Sequence, residues 1–286
     1  MTIRSLISLF VLMSIFFAQE VFAQEKSSLA DNAALRYWAA FSELQDSGIT
    51  ADQAKELDLI LDGTAPYRDD VYKDLLERNV PALKVMARGT RLQNCDWGLD
   101  YGLGSDTPVE YARKALQLGR LNVLYAFHLS LAGDKDGTAH TLAAGVRFSR
   151  DVANGSSLFG TLVASDLLVT HFHAIEGLLH LQGITAAQKS ELRAAISHLR
   201  PAGLDWQAAV NREFDVLERP EWQESMRAIR QNYAAALKNP SALETLQQTI
   251  ASAPPDLRNL IAKPERVLKE KQDLGAQLQL VRQALK

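Results

Sequence analysis

The chain has 286 residues, 47% of them apolar and 23% charged, with a formal charge of −3. Those proportions belong to an ordinary globular protein, and a charge so near balance supplies no field that would gather nucleic acid or anionic lipid. One cysteine, Cys95, excludes an internal disulfide, a CxxC redox pair and a paired-cysteine zinc site.

The first 23 residues read as a secretory signal peptide. Arg4 gives a short basic start, residues 6–18 carry no charge, and Val21-Phe22-Ala23 places small residues where a signal peptidase reads. The apolar run is shorter than the roughly 20 residues that cross a bilayer. Cleavage after Ala23 takes 23 of 286 residues and leaves 263, beginning at Gln24. Arg4 and Glu20 leave together, so the mature charge is also −3. A periplasmic or secreted protein is expected, without a lipid anchor, because no cysteine follows the apolar run at the cleavage site.

Residues 24–262 read as one body of helical hairpins. Periodicity predicts a first helix over 29–46, and Thr50 with Gln53 forms a capping box for a second that Gly63 stops. A third is expected over 66–79, with Pro81 opening a short fourth. Residues 91–106 form the one long irregular stretch. Thr107-Pro108-Val109-Glu110 then starts a helix to about 131; Ala132-Gly133-Asp134 turns the chain into another over 135–153; and Asn154-Gly155 turns it into the longest, over 157–182. Later starts fall at Thr185, Asp205, Pro220, Ser241 (a capping box with Glu244), Pro255 and Pro264. No segment alternates apolar and polar residues with β-branched enrichment, so no sheet is expected.

Short connections between long helices favour antiparallel neighbours, hence an all-α bundle or irregular α-solenoid. Gly48-Ile49-Thr50-Ala51 with Gln53, Glu56 and Leu57 returns 135 residues on as Gly183-Ile184-Thr185-Ala186 with Gln188, Glu191 and Leu192. That echo is either an old duplication or common helix punctuation. Residues 263–286 carry Val267, Leu274, Leu278, Val281 and Leu285 at helical spacing, interrupted by Lys271, and are expected to dock on the body as an amphipathic helix.

Chemistry has two places to sit. The 94–106 loop gathers Cys95, Asp96, Trp97, Asp100 and Tyr101. Carboxylates beside aromatic faces hold cations or sugars, whereas a packed linker would bury Trp97 and Tyr101 and use the acids to cap turns. Cys95 has no histidine in local sequence to activate it. The second place is the helix at 157–182, where Asp166, His173, Glu176 and His180 fall within about 80° of one another on a 3.6-residue helix. His173, Glu176 and His180 are the candidate metal ligands, with donors still needed from a second element. His171 falls on the apolar side, where a neutral core histidine with one hydrogen bond is expected. The same helix is interrupted by charged and imidazole side chains, so no membrane span is expected after signal removal.

Cys95-Asp96-Trp97-Gly98, followed by a Gly133-Asp134 turn between two Ala/Leu-rich helices, resembles a type of exported bacterial helical protein. The resemblance covers residues 30–185 and implies a tetratricopeptide-like architecture, though the long uneven helices fit a 34-residue period poorly. It brings no activity with it. No nucleophile elbow, metalloprotease, Walker or dinucleotide motif occurs. The expectation is a non-enzymatic scaffold that binds a peptide or protein partner and needs no cofactor, in an oligomeric state the sequence leaves open. The alternative is a small metal-binding protein or hydrolase built on the loop and the histidine face.

Overall fold

The structure, a computed structural model, describes residues 31–45, 48–107, 110–181, 183–217 and 219–286. The expected signal at 1–23 lies outside them, as do Pro108 and Val109 of the Thr-Pro helix start. In chain order the helices are α1 (Ala33–Ser42), α2 (Ala51–Leu61), α3 (Asp69–Gly89), α4 (Glu110–Leu131), α5 (Lys135–Ala153), α6 (Leu158–His180), α7 (Ala186–Ser197), α8 (Trp206–Val216), α9 (Gln223–Lys238), α10 (Leu243–Ser252), α11 (Pro255–Leu260) and α12 (Pro264–Ala284). Among the described residues there is no strand, only two isolated bridges, Asn32 with Asn94 and Arg200 with Gly203.

Side-chain caps start five of these helices, α1, α2, α5, α7 and α8. The Thr50 hydroxyl accepts from the Gln53 N–H at 3.2 Å while the Gln53 side chain accepts from the Thr50 N–H at 2.8 Å. Thr185 and Gln188 repeat the arrangement at 3.2 and 2.9 Å, so both Gly-Ile-Thr-Ala segments fold into the same reciprocal cap. Asp134 starts α5 by accepting from the Gly137 N–H, and Asp205 starts α8 by accepting from that of Ala208.

Two expected boundaries are corrected. Pro81 opens no new helix; it lies inside α3. The carbonyl it leaves unpaired, that of Glu77, sits on an exposed turn where water satisfies it, so the helix continues. Buried Asn79 also braces that turn: its amide donates to the Leu75 carbonyl and its oxygen accepts from the Gln45 N–H. Nor does Ser241 cap α10. The Asn239 side chain accepts from the Ser241 N–H, a short 3₁₀ turn follows over Pro240–Ala242, and α10 begins at Leu243 without a side-chain cap.

Hairpin α4–α5 and its neighbour α6 form the centre, with α3, α7, α8 and α12 packed around them. α6 is wrapped by α4, α5, α8 and α12. By length and composition it is apolar enough to cross a membrane, its polar interruptions notwithstanding, and 67% of its most apolar stretch is buried inside the protein. A core helix meets the same test, because both kinds are apolar on every side. The α12 stripe of Val267, Leu274, Leu278, Val281 and Leu285 is buried. Lys271 does not break it. Its ammonium donates to the Leu237 carbonyl at 2.6 Å, in the last turn of α9.

The centre holds one polar pair. His171 is fully buried, and its ring meets two groups rather than one: Nδ1 lies 2.6 Å from the Leu167 carbonyl and Nε2 3.0 Å from the Asn122 side chain. Burial pushes its pKa down to about 4, so the ring is neutral and has one N–H for the two acceptors it faces, the Leu167 carbonyl at Nδ1 and Asn122 Oδ1 at Nε2. Only glycine fits opposite: a Cβ on Gly145 would lie 1.9 Å from Nε2. An unfolded histidine titrates near 6.5, so between about 6.5 and 4 the unfolded chain binds the extra proton. Stability from this site is present above that window and lost as pH falls through it. Between pH 7 and pH 4.5 the wild-type chain should therefore lose roughly 2 kcal/mol more stability in urea titrations than His171→Gln does. Equal losses in the two chains would refute a neutral core histidine.

Candidate functional site

The 94–106 loop is tied down at both ends. The Ala33 N–H donates to the Asn94 carbonyl at 2.7 Å, and the Asn32 side chain exchanges two hydrogen bonds with the Asp96 backbone. Asn154, just past α5, donates to the Cys95 carbonyl at 2.6 Å. The loop is therefore laced between the start of α1 and the end of α5, and a 3₁₀ turn over Tyr101–Asp106 carries it toward α4.

The four candidate ligands divide into two pairs. Trp97 is 6% exposed and donates through Nε1 to the Asp151 carbonyl at 2.8 Å. Phe41 stacks on it at 6.0 Å, Tyr37 at 5.7 Å, and Tyr111 packs at 4.6 Å. Tyr101 is half-buried and donates to the Gly155 carbonyl at 2.6 Å. Asp96 and Asp100 stay at the surface, where each closes a turn by accepting from the N–H two residues on, Gly98 and Gly102. Both aromatic faces of the loop are thus spent inside the protein.

The residue that organises this region is one the sequence analysis passed over. Asp151 is 3% exposed. Its carboxylate accepts from Tyr37 Oη at 2.6 Å and from Arg150 Nε and Nη2 at 3.0 and 2.6 Å. Burial nevertheless raises its pKa, with Arg150 and the Tyr37 hydroxyl working against that rise. Its main-chain carbonyl takes the Trp97 indole, the Asn154 N–H at 3.1 Å and the Cys95 thiol at 3.6 Å. A carboxylate on the stripe Ala144, Phe148, Asp151, in an otherwise apolar helix face, was the available signal.

The expected histidine face does not assemble a metal centre. Among the described residues no three His, Cys, Asp or Glu groups come together as metal donors. His173 and Glu176 are half-buried and His180 is exposed, all on α6, and Nδ1 of His173 is buried without a hydrogen-bond partner among the described residues. His140, considered as a second-element donor, is instead paired with Glu191 at 2.7 Å, and His128 with Asp69 at 2.6 Å.

A groove of about 600 Å³, with polar and apolar lining, lies between α3, α4 and α5. Its floor is Leu83, Ala87, Tyr125 and Leu129. Along one wall stand Lys84, Arg88 and Arg91, four and three residues apart, which puts them in a line up α3 and just past its end. None of the three is in an ion pair with a described residue. The Tyr125 ring stacks on His128, and its hydroxyl has no hydrogen-bond partner among the described residues. The opposite lip carries Asp134, already used as the α5 cap, and His140, already paired. A cationic wall over an apolar floor accepts an acidic chain with an apolar anchor, and the volume is within the roughly 300–1,000 Å³ of ligand sites. The sequence signal was the Lys84, Arg88, Arg91 spacing, which gains meaning only beside Tyr125 and Leu129 of α4.

No protein-family model, curated protein or solved structure matches the chain.

Burial, reinforced by the nearby Asp151 carboxylate, holds the Cys95 thiol far above its usual range, and only the thiolate reacts. Ellman's reagent should consequently modify the folded chain at least about 100-fold more slowly than the chain in guanidinium chloride. Rapid modification of the folded protein would overturn this assignment of Cys95 as a structural thiol.

Proposed function

We propose that this chain is a non-catalytic helical scaffold, exported to the cell envelope, that grips an acidic peptide or protein segment in the groove between α3, α4 and α5. The observation that carries this reading is the line of unpaired cations, Lys84, Arg88 and Arg91, above the floor of Leu83, Tyr125 and Leu129. Unpaired cations at the rim give steering and register, and half-buried Tyr125 and Leu129 give contact area. Stacked antiparallel helices present such a concave face on rigid walls, as the tetratricopeptide-like resemblance implies for an irregular solenoid. The inward turn of Trp97 and Tyr101 favours this groove over the 94–106 loop. Export rests on the basic start, the uncharged run and the Val21-Phe22-Ala23 site.

Peptides selected from a random display library on the purified chain should be rich in Asp and Glu around an apolar or aromatic anchor. The double variant Lys84→Glu, Arg88→Glu should weaken them at least tenfold, while Lys55→Glu, on the exposed face of α2, leaves them bound. Recovery of basic peptides, or affinity indifferent to the double variant, refutes the reading. Export has its own check. Protein taken from the producing cell should fractionate with the envelope or medium and give an N-terminal sequence starting at Gln24; an unprocessed cytosolic chain beginning at Met1 refutes it.

A further inference from the structure

The other end of α5 borders a second cavity, smaller and more polar. It lies between the last turn of α5, the α7–α8 connection and the inner face of α8, with a volume of about 270 Å³. Three guanidinium groups line it, those of Arg150, Arg200 and Arg212, together with His198. Its only lining acids are Asp151 and Asp205.

Both acids are committed. The Asp151 carboxylate is closed off by Tyr37 on one oxygen and Arg150 on the other. Asp205 accepts from the Ala208 N–H with one oxygen and pairs with Arg200 at 2.7 Å through the other. No carboxylate oxygen in the lining is left for a cation. Arg212 is in the opposite position. It is half-buried, two turns beyond Asp205 on the same face of α8, and no described carboxylate pairs with it. Its positive charge faces the Tyr101 and Tyr111 hydroxyls, which are not counter-ions. Three cations against two acids leave the cavity lining with one uncompensated positive charge.

The walls are also fixed in advance. Arg200 and Gly203 exchange two backbone hydrogen bonds, at 3.2 and 2.9 Å, which closes the α7–α8 connection into a tight loop. Arg282 of α12 donates to the Leu199 carbonyl at 3.0 Å and anchors the same loop from behind. At Gly203 the backbone has φ near +79°, and a Cβ would lie 2.4 Å from Leu274, so glycine is required for α12 to reach this loop. A cavity whose cationic side chains are held on rigid elements loses little entropy when it binds.

We propose that this cavity binds a small, multiply charged oxyanion, of the phosphomonoester or dicarboxylate kind, with Arg212 as its principal anchor and Arg150 and Arg200 supplying further donors. Guanidinium is the group suited to this, because its planar fork matches two oxygens of a phosphate or carboxylate at once. The volume lies just under the roughly 300 Å³ at which drug-sized sites begin, which limits the ligand to a small metabolite or a lone ion. The proposal is independent of the groove, since the two surfaces use opposite ends of α5 and share no side chain.

Isothermal titration of the full mature chain tests it, with inorganic phosphate and succinate as probes and sodium chloride at matched ionic strength as reference. Phosphate, succinate or both should bind saturably, above any effect of chloride. Arg212→Gln should weaken that binding at least tenfold, and Arg200→Ala should weaken it too, each with an unchanged circular dichroism spectrum. Lys84→Glu should leave it intact. Phosphate alone binding assigns the site to tetrahedral oxyanions, and succinate alone to dicarboxylates. No saturable binding by either probe, or full affinity in Arg212→Gln, overturns the proposal.

Discussion

The last turn of α5 is the constraint on which this fold turns. An α-helix ends with carbonyls that have no partner of their own, and a buried carboxylate loses several kcal/mol of hydration. Asp151 brings both liabilities to one residue. Its carbonyl is satisfied by the Trp97 indole and the Asn154 N–H, and its carboxylate by Tyr37 and Arg150. Charge-assisted hydrogen bonds are worth about 1.5–3 kcal/mol each and offset part of that loss, the raised pKa of Asp151 marking the part they do not. The donors come from α1, from the 94–106 loop and from α5 itself. Each reaches Asp151 only if all three segments are in place, which makes the aromatic cluster of Tyr37, Phe41, Trp97 and Tyr111 a consequence of this polar centre as much as of hydrophobic packing. Removing one partner would strand the charge, and such losses cost about 3–5 kcal/mol in buried pairs.

A second polar pair does the same for the middle of the molecule. His171 and Asn122 face each other across α4 and α6, and Gly145 of α5 leaves room for both. With apolar groups alone, these three long helices could slide along one another by a turn. A buried pair with one geometry fixes their register, at the expense of stability in acid. Thr161, Ser165 and Thr170, all buried on α6, belong to the same style of core. Thr170 spends its hydroxyl on the Asp166 carbonyl of its own helix, and Thr161 meets Ser156 at 3.1 Å.

What the sequence made legible, and what it hid, follows from how local each signal is. The capping boxes at Thr50 and Thr185 and the Asp134 and Asp205 caps involve residues three or four apart, so a one-dimensional reading finds them. The helical class follows from periodicity for the same reason. Pro81 misled because a proline's effect depends on whether water reaches the carbonyl it orphans, and burial is not local information. Ser241 misled because Asn239, two residues earlier, competes for the same turn. The functional surfaces were hidden more deeply. Lys84, Arg88 and Arg91 are conspicuous only beside Tyr125 and Leu129, more than 30 residues away. Arg212 matters only because Asp151 and Asp205 are taken by other partners. Conversely, the richest-looking segment, Cys95 to Tyr101, turned its aromatic side chains inward, since large rings in a loop gain more from burial than a loop surface returns to them.

Charge is distributed here in a way that the net value conceals. The chain carries −3 overall, yet both concave surfaces on α5 are positive. Screening at physiological salt has a length of about 8 Å, so a ligand in either recess responds to the side chains lining it and scarcely to the net charge. The same logic explains the basic residues of α12. Lys271 and Arg282 sit on its inner side, where they would be costly without partners; Lys271 closes the carbonyl end of α9, and Arg282 holds a carbonyl of the α7–α8 connection. Cations that elsewhere form recognition surfaces are consumed there as structural caps. The distinction between a binding cation and a structural one in this protein is therefore whether a carbonyl or carboxylate of the chain already occupies it. Among the Lys and Arg side chains lining the two recesses on α5, Lys84, Arg88, Arg91 and Arg212 are the ones that no carbonyl or carboxylate of the described residues occupies.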